Sequence, residues 1–405
     1  MKRFGLVMAA AALLGAVNTA DAQLSMQMGN GWNATFSGNV NAFYVYSTTT
    51  STTGGVDVNS GKVNGIGTGL LPAFFTFDAK GKEGNTDLGV HFGFAPQVSM
   101  GNNVASFFGD QAAGAQIDMR QVYATVGGTW GAILFGKELG IFQRQNILQD
   151  MTLFGVGPNS LGRGTGLGRI GYGYLYTDFR GQFSFSTAAG RPFQLTFGVM
   201  EPVTVGAYTY ADMPRFEAEA TWKPQFGEKN HLLLFVSGAY GHAKLAASDD
   251  IAGGDNPGIS STGVAGGAKL DIGGFSVTGS GFYAEGMGSL TMGDAILGDP
   301  STKVCLDCLD ANGDAQTTYG WYAQALYTFP SGKFTFGAGY GGNYIDSPAA
   351  TGDFESRTAF VGQATYHITK STRVVGEYTL FDNNFKDTDD GQSTNQFALG
   401  MMLFY

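Results

Sequence analysis

Three short patterns in the sequence have spacings at which chemistry is known to happen. Gly166-Leu167-Gly168-Arg169-Ile170-Gly171 fits G-x-G-x-x-G, the turn that lays backbone amides against a dinucleotide pyrophosphate. That turn needs a strand before it and a helix after it, whereas Tyr172-Gly173-Tyr174-Leu175-Tyr176 follows. In a chain with 64 glycines the match is expected by chance, so no cofactor is expected. Cys305 and Cys308 form a C-x-x-C, but no second pair and no nearby histidine completes a zinc set. In an exported chain a short local disulfide between them is the expectation. Asp310, Asn312 and Asp314 have calcium-loop spacing, yet Gly313 is misplaced and no glutamate closes the loop. They read as a solvated acidic loop, and no metal is expected.

Hydrolytic chemistry on a membrane barrel would need a serine and a histidine held together with an orienting polar group. The chain has four histidines, His91, His231, His242 and His367, and no G-x-S-x-G elbow. Strand parity turns His91 and His367 inward as wall residues, and no enzymatic activity is expected.

The remaining charges fall at alternate positions of otherwise apolar segments. By parity, Asp78, Lys80, Lys82, Asp118, Arg120, Lys137, Arg215, Glu217, Glu219, Lys269, Arg357, Arg373 and Glu377 share the face opposite the apolar one. An arginine or lysine facing lipid near mid-bilayer costs about 2–4 kcal/mol, so these groups are expected to line a lumen. Opposed basic and acidic groups across a narrow aqueous path favour hydrated, dipolar solutes over apolar ones.

The elements that position them follow from the rest of the chain. Lys2 and Arg3, an apolar run from Phe4 to Val17 and the small-x-small triplet Ala20-Asp21-Ala22 read as a signal peptide over residues 1–22. The run is shorter than the about 20 residues a membrane-spanning helix needs. Residues 23–405 then form the working domain, and losing Lys2, Arg3 and Asp21 moves the net charge from -10 to -11. Such acidity, without clustered Lys and Arg, argues against a nucleic-acid partner. Only 14% of residues are charged while 13% are aromatic, against about 25% charged in a soluble domain.

Many segments of about ten residues alternate in hydrophobicity, as membrane strands do. Phe216, Ala218, Ala220 and Trp222 face away from Arg215, Glu217, Glu219 and Thr221. Trp321, Ala323, Ala325 and Tyr327 alternate with Gly320, Tyr322, Gln324 and Thr328, and Phe193, Leu195, Phe197 and Val199 with Gln194, Thr196 and Gly198. Short turns at 127–129, 273–274, 330–333 and 369–372 alternate with long polar stretches at 47–69, 97–116, 138–180, 243–262, 286–317, 345–356 and 383–393. The fold expected is therefore all-β: a transmembrane antiparallel barrel of about 16 strands, with short periplasmic turns and long extracellular loops. That number leaves room for an aqueous channel, where about eight strands would be filled by side chains. Phe397, Leu399, Met401, Leu403 and Tyr405 alternate to the last residue, and this strand is expected to close the ring on the segment from Trp32 to Tyr46.

Three stretches resemble the general bacterial porin family of Gram-negative outer membranes. The run Arg120-Gln121-Val122-Tyr123-Ala124-Thr125-Val126-Gly127, with Trp130-Gly131 and Leu134-Phe135-Gly136-Lys137, is similar to the family's fourth and fifth strands. The segment 138–180 sits where the family's third loop folds into the barrel, and the last strand resembles the family's assembly signal. The resemblance implies a homotrimer of sixteen-stranded pores, each narrowed by that loop. It places Arg120 in the basic cluster of the pore wall. It makes Glu138, Arg144, Asp150, Arg163, Arg169 and Arg180 the charges of a constriction loop that is basic on balance. It also implies outer-membrane lipid, lipopolysaccharide and the barrel-assembly machinery as partners. Lys137 stands where the family usually has arginine, Tyr405 where it usually has phenylalanine, and the Pro-Glu-Phe-Gly-Gly run of enteric third loops is absent. Apolar Ile141-Phe142, Ile147-Leu148 and Met151-Leu153-Phe154 predict a loop packed on the wall, with a short helix. The function implied is passive diffusion of small hydrophilic solutes and ions. The alternative is a channel selective for a sugar or an anion, with Tyr172, Tyr174 and Tyr176 as an aromatic track, and an adhesion or structural barrel ranks last.

Overall fold

The structure is a computed structural model that describes residues 24–405 except 55, 99–116, 159–163, 203, 206–207, 209, 228–229, 246–257, 289–307, 347, 349–352, 387 and 389. The expected signal segment, Arg163 and Cys305 lie outside the described residues.

Alternation translates into strands along the whole chain. In order these are β1 (Leu24–Gln27), β2 (Asn33–Thr53), β3 (Val56–Gly67), β4 (Phe74–Glu83), β5 (Thr86–Pro96), β6 (Ile117–Gly128), β7 (Gly131–Leu139), β8 (Phe179–Ser186), β9 (Phe193–Met200) and β10 (Arg215–Trp222). There follow β11 (Gln225–Phe226), β12 (Asn230–Lys244), β13 (Gly258–Ile272), β14 (Phe275–Glu285), β15 (Thr317–Thr328), β16 (Phe334–Ile345), β17 (Phe354–His367), β18 (Thr372–Phe385) and β19 (Gly391–Phe404). Every wall pairing is antiparallel; most join sequence neighbours, β2 also pairs with β4 and β10 with β12, and β19 pairs with β2 from Gly391↔Thr52 to Phe404↔Asn39. The ring closes, which leaves the wall no open edge for lipid to solvate.

The wall has sixteen positions, because β3 and β4 share one and β1 and β11 are short annexes. β2 pairs along its upper half with β3 and along its lower half with β4. Between them, residues 68–73 turn inward, where the Leu70 and Leu71 amides bond the Gly155 and Leu153 carbonyls.

The expected polar loop at 47–69 is instead the hairpin of β2 and β3. Its run of threonines and serines suits a strand, but both faces of that extension are polar, so it lacks the alternation that marks a strand in lipid. β13 likewise begins at Gly258, inside the stretch expected to be loop. The expected turn at 273–274 is a two-residue hairpin joining Ile272 to Phe275, with φ +55° at Gly273 and +93° at Gly274. Positive φ at both central residues matches the right-handed twist of the flanking strands and favours glycine.

Outward residues are large and apolar. On β19, Phe397, Leu399, Met401 and Leu403 are exposed, while Ala398, Met402 and Phe404 are buried against the interior. Trp321, Tyr340, Phe336, Phe360, Tyr366 and Tyr378 continue that surface around the barrel. Among the described residues no helix is long and apolar enough to cross a membrane.

Candidate functional site

The segment between β7 and β8 returns into the barrel. Its apolar residues find two patches of wall. Ile147, Leu148, Leu153 and Val156 pack with Phe43, Val45, Val375 and Phe404, and Phe142 and Leu175 pack with Ala265, Phe282 and Ala284. A short helix, α1 (Arg144–Gln149), and a 3-10 turn at Met151–Phe154 give the segment local structure. Gln143 precedes α1 at φ +62°, a conformation non-glycine residues seldom hold. Surrounding bonds fix it: its amide donates to Ser237 Oγ at 3.1 Å, and its Oε1 accepts from the Leu175 amide at 2.8 Å.

A backbone crossing a lumen must find partners for its polar groups, and here the wall supplies them. Glu217 Oε2 on β10 accepts from the amides of Ile141 at 2.6 Å and Phe142 at 2.8 Å. Glu377 Oε1 on β18 accepts from those of Gly157 at 2.6 Å and Val156 at 3.2 Å. Gln324 on β15 takes the Met151 amide and donates to the Gln149 carbonyl, and Asn343 on β16 takes the Gly173 amide. Gln396 on β19 donates to the Gly157 carbonyl. The loop is thus pinned along the arc from β10 to β19.

Charged side chains complete the fastening. Arg169 and Asp150 are both fully buried and meet at 2.6 Å, with Tyr174 Oη donating to the same carboxylate at 2.8 Å. Arg144 meets Glu219 at 2.6 Å, and Arg215 meets Glu217 at 2.6 Å. Arg373 lies between the rings of Phe154 and Phe404, 4.6 and 4.9 Å from their centroids. Arg357 lies 3.8 Å from the Phe354 centroid and faces Tyr172.

The other arc, from β4 to β8, is less covered. Asp118 and Arg120 on β6 pair at 2.6 Å, with 21% and 18% of their side chains exposed. Asp178 and Arg180, where the loop rejoins β8, pair at 3.1 Å and are 34% and 12% exposed. Asp78 pairs with His91 Nδ1 at 2.9 Å, and the His91 ring stacks on Tyr123. Lys80 is exposed on the same face of β4 as Asp78.

The structure divides the residues expected to line the interior. Arg215, Glu217, Glu219, Arg357, Arg373 and Glu377 are buried under the loop, whereas Asp118, Arg120 and Lys80 keep contact with the lumen. Lys269 sits half-buried beside Asp271 at 3.9 Å near the periplasmic end of β13. Lys137 corrects the parity reading. It is exposed, shares a face with Ile133 and Phe135, and stands opposite Val122 on the outward side. The cause is a register irregularity against β5 between Gly93 and Ala95, which lets Arg120 and then Gln121 both reach the interior. Parity counted through that point inverts, and the inward residue at the end of β7 is Glu138, which accepts from Gln121 at 2.8 Å.

Two other expectations change. Glu138 and Arg180 belong to the ends of β7 and β8, so the loop proper is 140–178. Its described arginines, Arg144 and Arg169, each have a carboxylate partner, as does Arg180 at its end, so they do not add up to a basic constriction. Of the three tyrosines expected to form an aromatic track, Tyr172 and Tyr174 are fully buried and bonded to Asn383 and Asp150, and Tyr176 is half-buried. Cys308 is buried and disulfide-bonded, packed with Val205 and Ile259 above the barrel. Asp310 accepts from the amides of Asn312 and Asp314, a self-contained acidic turn. The amide anchors Gln324, Asn343 and Asn383, and Gln363, which donates to the Met151 carbonyl at 3.3 Å, were not singled out from the sequence, although an uncharged polar side chain at inward parity was the available signal.

A family model described as Gram-negative porin matches residues 8–386. No curated protein matches the sequence. Among solved structures, the outer membrane channel DcaP of Acinetobacter baumannii superposes with a TM-score of 0.67 at 14% identity, over 94% of this chain and 99% of that one. OmpT, an outer membrane protein of Vibrio cholerae, gives 0.56 at 16% identity, over 94% and 100% of the two chains. OprB of Pseudomonas putida gives 0.51 at 11%, over 93% and 94%. At such identities the likeness is one of fold.

Proposed function

The chain belongs to the Gram-negative porin family, and on that premise we propose that solutes pass along the β4–β8 side of its lumen, past Asp118–Arg120 and Asp178–Arg180. A porin is a channel of the outer membrane, and this chain is one. The observation that carries the route is the split in exposure around the wall. Ion pairs under the loop, Arg215–Glu217 and Arg144–Glu219, are at most 9% exposed, while the two pairs on the open arc are 12–34% exposed.

Along that arc, arginine and aspartate stand in bonded pairs. Such a wall presents a strong local field with little net charge, which suits small hydrophilic and dipolar solutes moving down their own gradient. The reading is passive diffusion with no catalytic step. Single-channel conductance in a planar bilayer, with reversal potential under a salt gradient, tests it. Ohmic steps whose selectivity shifts when Arg120 or Asp118 is neutralised support the route, and conductance indifferent to both overturns it.

A second reading, a channel selective for one class of solute, draws on the extent to which the loop fills the lumen. A selective channel would give saturable flux and current blockade by its substrate, where a diffusion pore gives neither.

We read the assembly as a homotrimer, as supported by the trimer form known for Vibrio cholerae OmpT. Residues 1–22 read as the export signal, lipopolysaccharide as the neighbour of the long loops, and β19 as the strand engaged by the barrel-assembly machinery.

A further inference from the structure

The outward surface is not uniformly ridged by aromatics. Between β15 and β18 it sinks into a groove of about 700 Å³. Its floor is made of small residues in register across the strands, Ala325↔Ala338↔Gly362 on one rung and Ala364↔Gly376 on the next. Phe275 and Phe336 form one bank and Tyr378 and Phe397 the other, all of them exposed.

The groove has a direction. Phe275 is the first residue of β14 after a periplasmic turn, whereas Phe397 lies well up β19 from Phe404 at its periplasmic end. At about 3.4 Å per residue and a strand tilt of about 45°, that climb is on the order of 17 Å along the membrane normal. Half of a hydrocarbon core of about 30 Å is close to that height. The groove is therefore one leaflet deep and opens towards the periplasm.

Its open end is basic. Lys333 in the turn between β15 and β16 and Lys370 in the turn between β17 and β18 are both exposed. The two turns are tied together by the His367 amide donating to the Lys333 carbonyl at 2.8 Å. Residues 329–333 and 368–371 of these turns include no acid.

We propose that this groove seats an acyl chain of an anionic phospholipid of the periplasmic leaflet, with the lipid phosphate held between Lys333 and Lys370. The depth of one leaflet, the apolar walls and the cationic rim on the short-turn side all suit that occupant. Lipopolysaccharide would enter from the opposite, long-loop side. A chain lying on small residues meets the barrel backbone closely and is gripped by the aromatic banks, so it exchanges more slowly than bulk lipid.

The test is native mass spectrometry of the full assembly released from detergent micelles doped with phosphatidylglycerol. Ala338→Trp fills the groove floor, and the pair Lys333→Ser with Lys370→Ser removes the rim without touching the floor. Folding of each variant is checked by heat-modifiable gel mobility. The expected result is phosphatidylglycerol retained by the wild type, with retention reduced about tenfold or more in each variant. Equal retention in wild type and lysine-free variant overturns the headgroup assignment. Equal retention in Ala338→Trp overturns the groove. If Ala338→Trp instead dissociates the assembly, a second copy of the chain covers this face and the lipid site is refuted.

Discussion

Glu217 and Glu377 do the same work from different walls. Each places a carboxylate oxygen against two consecutive backbone amides of the inserted loop, Ile141 and Phe142 for Glu217, Val156 and Gly157 for Glu377. Charge-assisted bonds of this kind are among the stronger ones a protein makes. Both acids also carry a side-chain partner, Arg215 at 2.6 Å and Gln363 at 3.0 Å. The loop is thus held at its first turn and again near its middle.

Removing either anchor should loosen the loop. Glu377→Ala leaves two amides without their acceptor, a loss of about 2–3 kcal/mol. We expect lower stability to urea in lipid vesicles and noisier single-channel current, with Glu377→Gln in between because it keeps an acceptor oxygen. A Glu377→Ala channel as quiet and as stable as wild type would mean that the apolar contacts hold the loop unaided.

The Asp150–Arg169 pair is enclosed, so its two halves are not independent. Asp150→Asn strands the Arg169 guanidinium and should cost about 3–5 kcal/mol. Arg169→Met together with Asp150→Asn should recover much of that loss. A double-mutant cycle by urea unfolding measures the coupling, and additive single effects would rule out the pair as a unit.

Selectivity should respond to the open arc and not to the outer face. Arg120→Ala is expected to move the reversal potential towards cation preference, and Asp118→Asn towards anion preference. Lys137→Ala, on the outward side, should leave it where it was. A shift with Lys137→Ala equal to that with Arg120→Ala would put Lys137 back in the lumen.

Acid should release an extracellular loop. Asp212, between β9 and β10, binds His242 Nδ1 at 2.7 Å and Lys244 Nζ at 3.3 Å. The hydrogen bond from His242 foremost, with help from Lys244, holds its carboxyl below the usual range. A depressed folded pKa means that the contribution is present above the ordinary carboxylate pKa of about 3.9 and is lost as pH falls through the folded value. Amide hydrogen exchange in residues 210–214 should accelerate in that acid window beyond the intrinsic pH effect. Asp212→Asn should show the faster exchange already at neutral pH, and a variant indistinguishable from wild type at both pH values would exclude the clamp.

Strand chemistry is local, and that is why the barrel was legible in the residues alone. Side chains alternate with period two, so Phe397, Leu399, Met401 and Leu403 announce an outward face, and Arg215, Glu217 and Glu219 an inward one, without reference to any partner. A C-terminal strand apolar to its end similarly implies a ring that must close. Some ion pairs are local too, as Arg215–Glu217 and Asp118–Arg120 are two residues apart, but the contacts that fasten the loop to the wall are not. Arg144 finds Glu219 and Val156 finds Glu377 only because the ring closes and the loop turns inward, bringing together residues 75 and 221 positions apart. One irregularity in the pairing of β5 with β6 was enough to turn Lys137 outward. The sequence by itself determined the barrel, its two faces and the presence of an inserted loop. Which charges are silenced under that loop and which still meet water was decided only by tertiary structure, because i,i+2 pairs such as Arg215–Glu217 and Asp118–Arg120 look alike along the chain and differ only in whether the inserted loop covers them.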